Sequence, residues 1–514
     1  MQRKKLKRKK KTNKFVKRIN YSLNSIIESE IKKHSLRIDF SKESLKNFKL
    51  KSIENSKFHE DLTDIPFITI DGEDSKDFDD AVWAVKKKNE IEIMIAIADV
   101  SFYVQENDKI DLEARKRGNS FYFPNKVLPM IPEFLSNDLC SLSPNNKRAC
   151  LVVKAKINLN GNLISSRFSR AIIKSKARLN YTEVEEYLTK KLKYNLNDEI
   201  IFLLKNLNFA FNALKKNSVK RGKIELERDS FKIKKEKTNE NFTFLKEKSL
   251  SSNKLIEELM VFANKIVADF IREKKILTLY RNHEEPSEEK KEKLNIFLKK
   301  SKIINKSKEF NNQKEFNEIL NQIKNVKTEN IVENILRSQS KAYYHYKNKG
   351  HFGLALQNYT HFTSPIRRYS DLLVHRSIIN KLFSGKINKE KISESLCEHL
   401  LDQEKKAESI ERSIFDRACC LYLKKSKKKY FSGFIDGITD FGMFIKAIEL
   451  PFSGLARFNV LSDDYYIYDE IKSCIIGKKS GNLFQLGQKI SFKIKNIDIN
   501  KGRISLNNIK KIVN

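Results

Sequence analysis

The chain has 514 residues, of which 40% are hydrophobic, enough for two to four domains with true cores. Lys plus Arg number 102 against 65 Asp plus Glu, a formal charge of +37 that points to a nucleic acid partner or to a surface solvated by compositional lysine. Six scattered cysteines lack the spacing of a zinc site or a disulfide framework, and no stretch approaches the roughly 18 apolar residues of a membrane span, so both scaffolds and membrane insertion are set aside.

Nine of the first fourteen residues are Lys or Arg, which predicts a basic disordered arm over 1–20, able to track phosphates or simply solvated. No apolar stretch follows it, so a secretory signal is not expected and the chain reads as cytoplasmic, with its cysteines reduced. Residues 21–60 read as a lead-in without a strong fold signal. From Ile65 the segments PFITID, AVWAV and EIEIMIAIADVSFYV are rich in β-branched residues, and Ile91, Ile93, Ile95 and Ile97 alternate in the period of a strand. Between the first two strands lies ITIDGEDSKDFDDAV, with Asp71, Asp74, Asp77, Asp79 and Asp80 in a ten-residue span. So many carboxylates repel one another and raise one another's pKa unless a divalent cation neutralises them. Hard oxygen ligands without nearby Cys or His favour magnesium, or manganese, over zinc. A calcium EF-hand is excluded, because Lys76 stands where Gly is needed and Val82 where Glu is needed. An acidic solvated turn is the plain alternative.

Further along, SFYFPNKVLPMIPEFLSNDLCSLSP carries Phe121, Tyr122 and Phe123 on a predicted strand, where at least one ring belongs to the core because neighbours point to opposite faces. Between about 185 and 330 Lys and Asn dilute every pattern, yet 255–275 repeats apolar residues at helical spacing, and 390–425 does so more weakly. In HFGLALQNYTHFTSPIRRYSDLLVHR, Thr363 and Ser364 are read as helix caps with Pro365 at the first position, so that Arg367 and Arg368 meet a phosphate at the helix start. His375, four residues after Asp371, reads as a helix-surface partner rather than a base. After KKSKKKY (424–430) short strands separated by Gly and Asp turns predict a small OB-type β-barrel. The fold class is α+β.

The segment TIDGEDSKDFDDAV resembles the hallmark of the ribonuclease II/ribonuclease R (RNB) family of 3′–5′ exoribonucleases, and the chain looks nearest to the ribonuclease R branch. The two later blocks follow in the family's order, and the likeness covers about residues 60–510. It implies an RNB catalytic domain over 61–425, a mixed sheet with helices around an RNA channel, and an S1 RNA-binding barrel over 428–512. It assigns Asp71, Asp77, Asp79 and Asp80 as magnesium ligands, with Asp74 an extra acid and Asp79 essential to catalysis. Tyr122 would stack on the last base, Arg367 would hold the scissile phosphate with Arg368 beside it, and Glu411 of AESIERSIFDR would lie near the RNA end. In the barrel Phe441 and Phe444 are expected nearer the binding face than Phe434. Attack by water would release nucleoside 5′-monophosphates from single-stranded 3′ ends, with two ions activating the water and stabilising the leaving oxygen. Full-length relatives carry two cold-shock barrels where this sequence has some sixty lysine-rich residues, which leaves strand selectivity open. The expected protein is a monomer, with ribosome or degradation-complex association conceivable. Its rivals are a non-catalytic RNA binder and a metal-dependent endonuclease.

Overall fold

The computed structural model describes residues 21–46, 48–53, 59–189, 197–225, 230–235, 241–300, 313–323, 329–384, 392–461, 464–469 and 474–512. The basic arm read into residues 1–20 lies outside them. Its centre is a mixed sheet built from β1 (Glu60–Leu62), β2 (Ile68–Asp71), β3 (Asp80–Lys86) and β4 (Glu90–Ala98), then, after the hairpin β5 (Phe121–Phe123) and β6 (Lys126–Leu128), from β7 (Lys147–Asn158), β8 (Leu163–Lys174) and β9 (Ala177–Asn180). The order is β1-β8-β7-β4-β3-β2-β9, antiparallel through the middle, with parallel pairs at the two edges, β1 with β8 and β2 with β9. The alternating isoleucines of β4 are all buried, each contributing about 1.5–3 kcal/mol over exposure. The strand ends at Ala98, short of the predicted run. Asp99 stops it by accepting the backbone N–H of Phe102, which starts the helical turn Val100–Tyr103.

Helices Asp198–Arg221 and Ser251–Glu273 cover one part of this core, the second matching the helical spacing read at 255–275. Tyr369–Ile379 is buried along its whole length within the same core. The hairpin β10 (Ser230–Lys235) with β11 (Phe242–Glu247) and the pair β12 (Tyr280–Asn282) with β13 (Tyr343–His345) lie outside the main sheet.

The predicted barrel is present and closed: β14 (Tyr430–Thr439), β15 (Gly442–Ala447) and β16 (Ser453–Arg457) are followed by a small sheet of β17 (Tyr466–Asp469), β18 (Cys474–Gly477) and β19 (Leu483–Gln485). Then β20 (Lys489–Asp498) and β21 (Arg503–Lys511) close the circle β14-β15-β16-β21-β20. Helix Glu394–Lys425 joins the two halves. Its Leu396, Cys397 and Leu400 belong to the sheet core, whereas Ile410, Ile414 and Ala418 belong to a second core with the barrel.

The lead-in departs from the sequence reading. Residues Leu23–Lys33 form a helix opened by a Ser22/Ser25 capping box, and its Ile26, Ile27 and Ile31 enter the second core. Glu30 there meets Arg417 of the long helix at 2.8 Å, both buried. Among the described residues no helix is long and apolar enough to cross a membrane.

Candidate active site

Asp71 closes β2 and Asp80 opens β3, so the sheet itself fixes these two carboxylates at the ends of neighbouring strands. Between them the loop is tied down at Ser141, whose hydroxyl donates to the Lys76 carbonyl (2.8 Å) and accepts from the Phe78 amide (3.0 Å), one residue on each side of Asp77. Arg178 holds the first half of the loop. It sits on β9 opposite Thr69, and its guanidinium donates to the carbonyls of Gly72 (3.1 Å), Ser75 (3.4 Å) and Glu73 while resting 5.3 Å from the Phe78 ring centre. Asp74 is exposed and stands apart from these contacts.

Asp79 is only 6% exposed. Its Oδ1 accepts the backbone N–H of Ile366 at 2.8 Å, and Arg367 Nε lies 3.6 Å from Oδ2. The Thr-Ser-Pro segment supplies that amide through a turn and not through a helix start, which corrects the sequence reading. Ser364 O accepts from Arg367 N (3.3 Å) and Arg368 N (3.0 Å), with Pro365 in the second position of the turn, and the helix begins only at Tyr369. The Ser364 amide is taken by Asp371 at 2.8 Å. Arg367 keeps about half its side chain (48%) exposed, free to turn to a ligand. Arg368 is turned inward onto Asp371 at 2.8 Å, away from any ligand-facing position. His375 is not a surface residue. It is fully buried, stacked on Phe362 with centroids 4.2 Å apart and with Nε2 2.7 Å from the Phe362 carbonyl.

Tyr122 is brought to the same place by a second route. Helix Lys109–Arg117 ends at Gly118, whose φ of +71° a side chain would strain, and the chain turns so that Ser120 N donates to Arg367 O (3.0 Å) and Tyr369 N to Gly118 O (2.9 Å). In β5 Phe121 and Phe123 point into the core and Tyr122, 37% exposed, points out, as the alternation requires. Its hydroxyl donates to Asp77 Oδ2 at 2.6 Å. Glu411 sits on the long helix where it packs against β5; burial raises its pKa, and the neighbouring Tyr122 backbone offsets part of that rise. The predicted Asp71, Asp77, Asp79, Asp80, Tyr122, Arg367 and Glu411 therefore form one connected centre. Phe441 and Phe444 lie on the barrel, exposed, with ring centres 6.3 Å apart, while Phe434 is half-buried.

Burial raises the pKa of Asp71, with the charges of Asp80 and Asp77 adding to it. Burial likewise raises Asp80 and Asp79, against the pull of Arg367. Asp71 Oδ2 and Asp80 Oδ2 are both buried without any hydrogen-bond partner. Tyr181, the first residue of the helix that follows β9, shares this environment: burial raises its phenol, and Asp71 and Asp80 raise it further. Neither Arg178 nor Tyr181 nor Ser141 stood out in the sequence, since the first two are brought here by the pairing of β9 with β2 and the third by long-range hydrogen bonds.

Among the described residues no three His, Cys, Asp or Glu side chains converge as a ready-made cation cage. Two of the carboxylates already have partners, Asp77 in Tyr122 and Asp79 in Ile366 and Arg367. The two orphaned oxygens nevertheless fit a hard divalent cation, because only positive charge or a proton relieves a buried anionic oxygen of that kind.

The chain is similar to proteins of one known family. The RNB domain model matches residues 59–384. Ribonuclease R of Buchnera aphidicola is 33% identical over 472 residues, covering 87% of this chain, and the chain spans 64% of that relative's length. The solved apo form of Mycoplasma genitalium RNase R matches with a TM-score of 0.90 at 31% identity, over 95% of this chain and 78% of that one. The structure of that RNase R in complex with ribose methylated single-stranded RNA matches with a TM-score of 0.89, at the same identity and coverage. With the domain match alone spanning well over half of its residues, the chain belongs to the RNB family.

Proposed function

We propose that the chain is a divalent-cation-dependent exoribonuclease that shortens single-stranded RNA from the 3′ end, processively, to nucleoside 5′-monophosphates. The observation that carries this reading is the meeting of orphaned buried carboxylates, a half-exposed arginine and an exposed tyrosine at one strand end. The kinship to ribonuclease R proteins, one of them solved with single-stranded RNA, supports it.

Asp71, Asp77, Asp79 and Asp80 would hold magnesium, or manganese in its place. Bound there as a pair, such ions supply Lewis acidity of the kind that activates water and stabilises a departing 3′ oxygen. The chain's own groups do the rest. Arg367, released from its 3.6 Å contact with Asp79, would grip a non-bridging oxygen of the scissile phosphate. The Tyr122 ring would stack on the terminal base, an interaction that tolerates every base because each has a π-face. Glu411, on the helix packed against β5, would lie near that RNA end. The barrel, read as an S1-type RNA-binding domain, would hold upstream nucleotides on Phe441 and Phe444. The six cysteines are buried thiols outside any disulfide, which supports a reducing, cytoplasmic setting.

Incubating the purified chain with an end-labelled oligoribonucleotide, with and without chelator, tests the proposal. Mononucleotides that vanish on chelation are expected. Internal fragments would mean an endonuclease, and uncut RNA a binding protein.

A further inference from the structure

A tyrosine whose only task is to stack on a base needs no hydroxyl, yet the Tyr122 hydroxyl is engaged with the acidic centre itself. It donates to Asp77 Oδ2 at 2.6 Å. The backbone that carries that hydroxyl is anchored on several sides. Phe121 and Phe123 anchor β5 in the core on either side, β6 pairs with it through Val127, and Ser120 is bonded to Arg367. Of the four carboxylates, Asp77 alone lies on irregular backbone with no backbone amide among the described residues donating to its side chain. Asp71 and Asp80 are strand residues, and Asp79 is oriented by the Ile366 amide. Ser141 fixes the backbone on both sides of Asp77 but leaves its carboxylate free to rotate.

We propose that Tyr122 is a positioning residue for Asp77, and that its hydroxyl orients this carboxylate as a cation ligand independently of the stacking done by its ring. The inference rests on the reading of the acidic centre as a divalent-cation site. A hydroxyl donor occupies one lone pair of Oδ2 and leaves the remaining acceptor positions of the carboxylate to a cation. Outer partners of this kind fix the rotamer of a ligand, and their loss commonly lowers metal affinity by about 10–100-fold. One side chain then serves two ligands through different atoms, the cation through its oxygen and the RNA end through its ring.

The two roles separate in the full chain. Mn²⁺ binding is measured by calorimetry without RNA, and the shortest product of an end-labelled oligoribonucleotide is measured at saturating Mn²⁺, for the wild type, Tyr122→Phe and Tyr122→Ala. Tyr122→Phe keeps the ring and should bind Mn²⁺ about 10–100-fold more weakly while giving the wild-type product length. Tyr122→Ala should show the weakened binding and a shifted product length together. Wild-type Mn²⁺ affinity in Tyr122→Phe would overturn the proposal while leaving the cation site standing. A product shifted by Tyr122→Phe would overturn the division of labour between oxygen and ring. Absence of Mn²⁺ binding in the wild type would remove the cation site itself, and this inference with it.

Discussion

The acidic centre and the barrel are both places where this chain would meet RNA, and they are built on opposite principles. At the centre, charge is buried: Asp79 is almost fully enclosed, and Asp71 and Asp80 each keep an oxygen without a partner. On the barrel, aromatic rings are exposed, with Phe441 at 52%, over a core that is otherwise well packed. Exposed rings cost the fold little and add a modest, sequence-tolerant affinity. Buried anions destabilise the fold until a ligand relieves them, so their presence is much stronger evidence of chemistry. Under the proposed function, the centre would sacrifice stability for reaction, whereas the barrel would add binding at almost no expense to folding.

The largest effect should come from Asp79→Asn. Turnover should fall by at least about a hundredfold, roughly 2.7 kcal/mol, with RNA affinity retained. The metal-free variant should melt at the wild-type temperature or above it, because the amide escapes the cost of burying a carboxylate and still offers an oxygen to the Ile366 N–H. Turnover near wild type, read from product formation, would break the contrast between the two regions.

Next is pH. The folded chain keeps protons on Asp71, Asp79 and Asp80 that the unfolded chain releases in the ordinary carboxylate range, since burial raises all three. Their contribution to metal-free stability should therefore be fully present at low pH and be lost as pH rises above that range, by at most about 1.4 kcal/mol per pH unit for each proton, whereas carboxylates held low, such as Asp99, act in the opposite sense only at acid pH. Magnesium should flatten the decline. Denaturant melts across pH, with and without magnesium, check both statements, and a metal-free curve that rises with pH would contradict them.

Arg178→Ala should lower turnover by roughly tenfold, about 1.4 kcal/mol, through loss of the loop clamp. Arg178→Lys should recover only part, because an ammonium lacks the planar fork that spans several carbonyls. Equal rates for all three proteins would show that Ser141 alone holds the loop. The smallest effect belongs to Phe441→Ala, which should weaken binding of long RNA by about 1 kcal/mol and leave cleavage of short oligomers unchanged. Binding titrations against both lengths sharpen the comparison, and identical affinities would remove the barrel's stacking role.

Much of the centre was legible because its acids lie in one short segment between two strands, where clustering alone signals a need for cations. Arg367 and Tyr122 were legible from their sequence blocks. Arg178 and Tyr181 were not, because they reach the loop through the parallel pairing of β9 with β2, a contact across about a hundred residues that no local period encodes. The Thr-Ser-Pro pattern fits a helix start or a turn equally well, and the outcome was decided by two distant carboxylates, Asp79 and Asp371, which bind the amides of Ile366 and Ser364. Helix Leu23–Lys33 carried its signal in Ile26, Ile27 and Ile31, but surrounding lysine and serine diluted it. His375 was misplaced because its neighbours Leu372, Val374 and Ile378 are buried on every side of a helix that has no solvent face.

The helix Glu394–Lys425 makes a ruler of the molecule. Glu411 lies on the stretch beside β5 and Lys425 stands at the threshold of the barrel, fourteen residues or about 21 Å along the same rigid rod. With both ends embedded in packed cores, that interval does not stretch. If the centre and the barrel both hold RNA as proposed, a tail too short to bridge that interval would be gripped at only one end, and the last few nucleotides of a substrate should dissociate more readily than those before them.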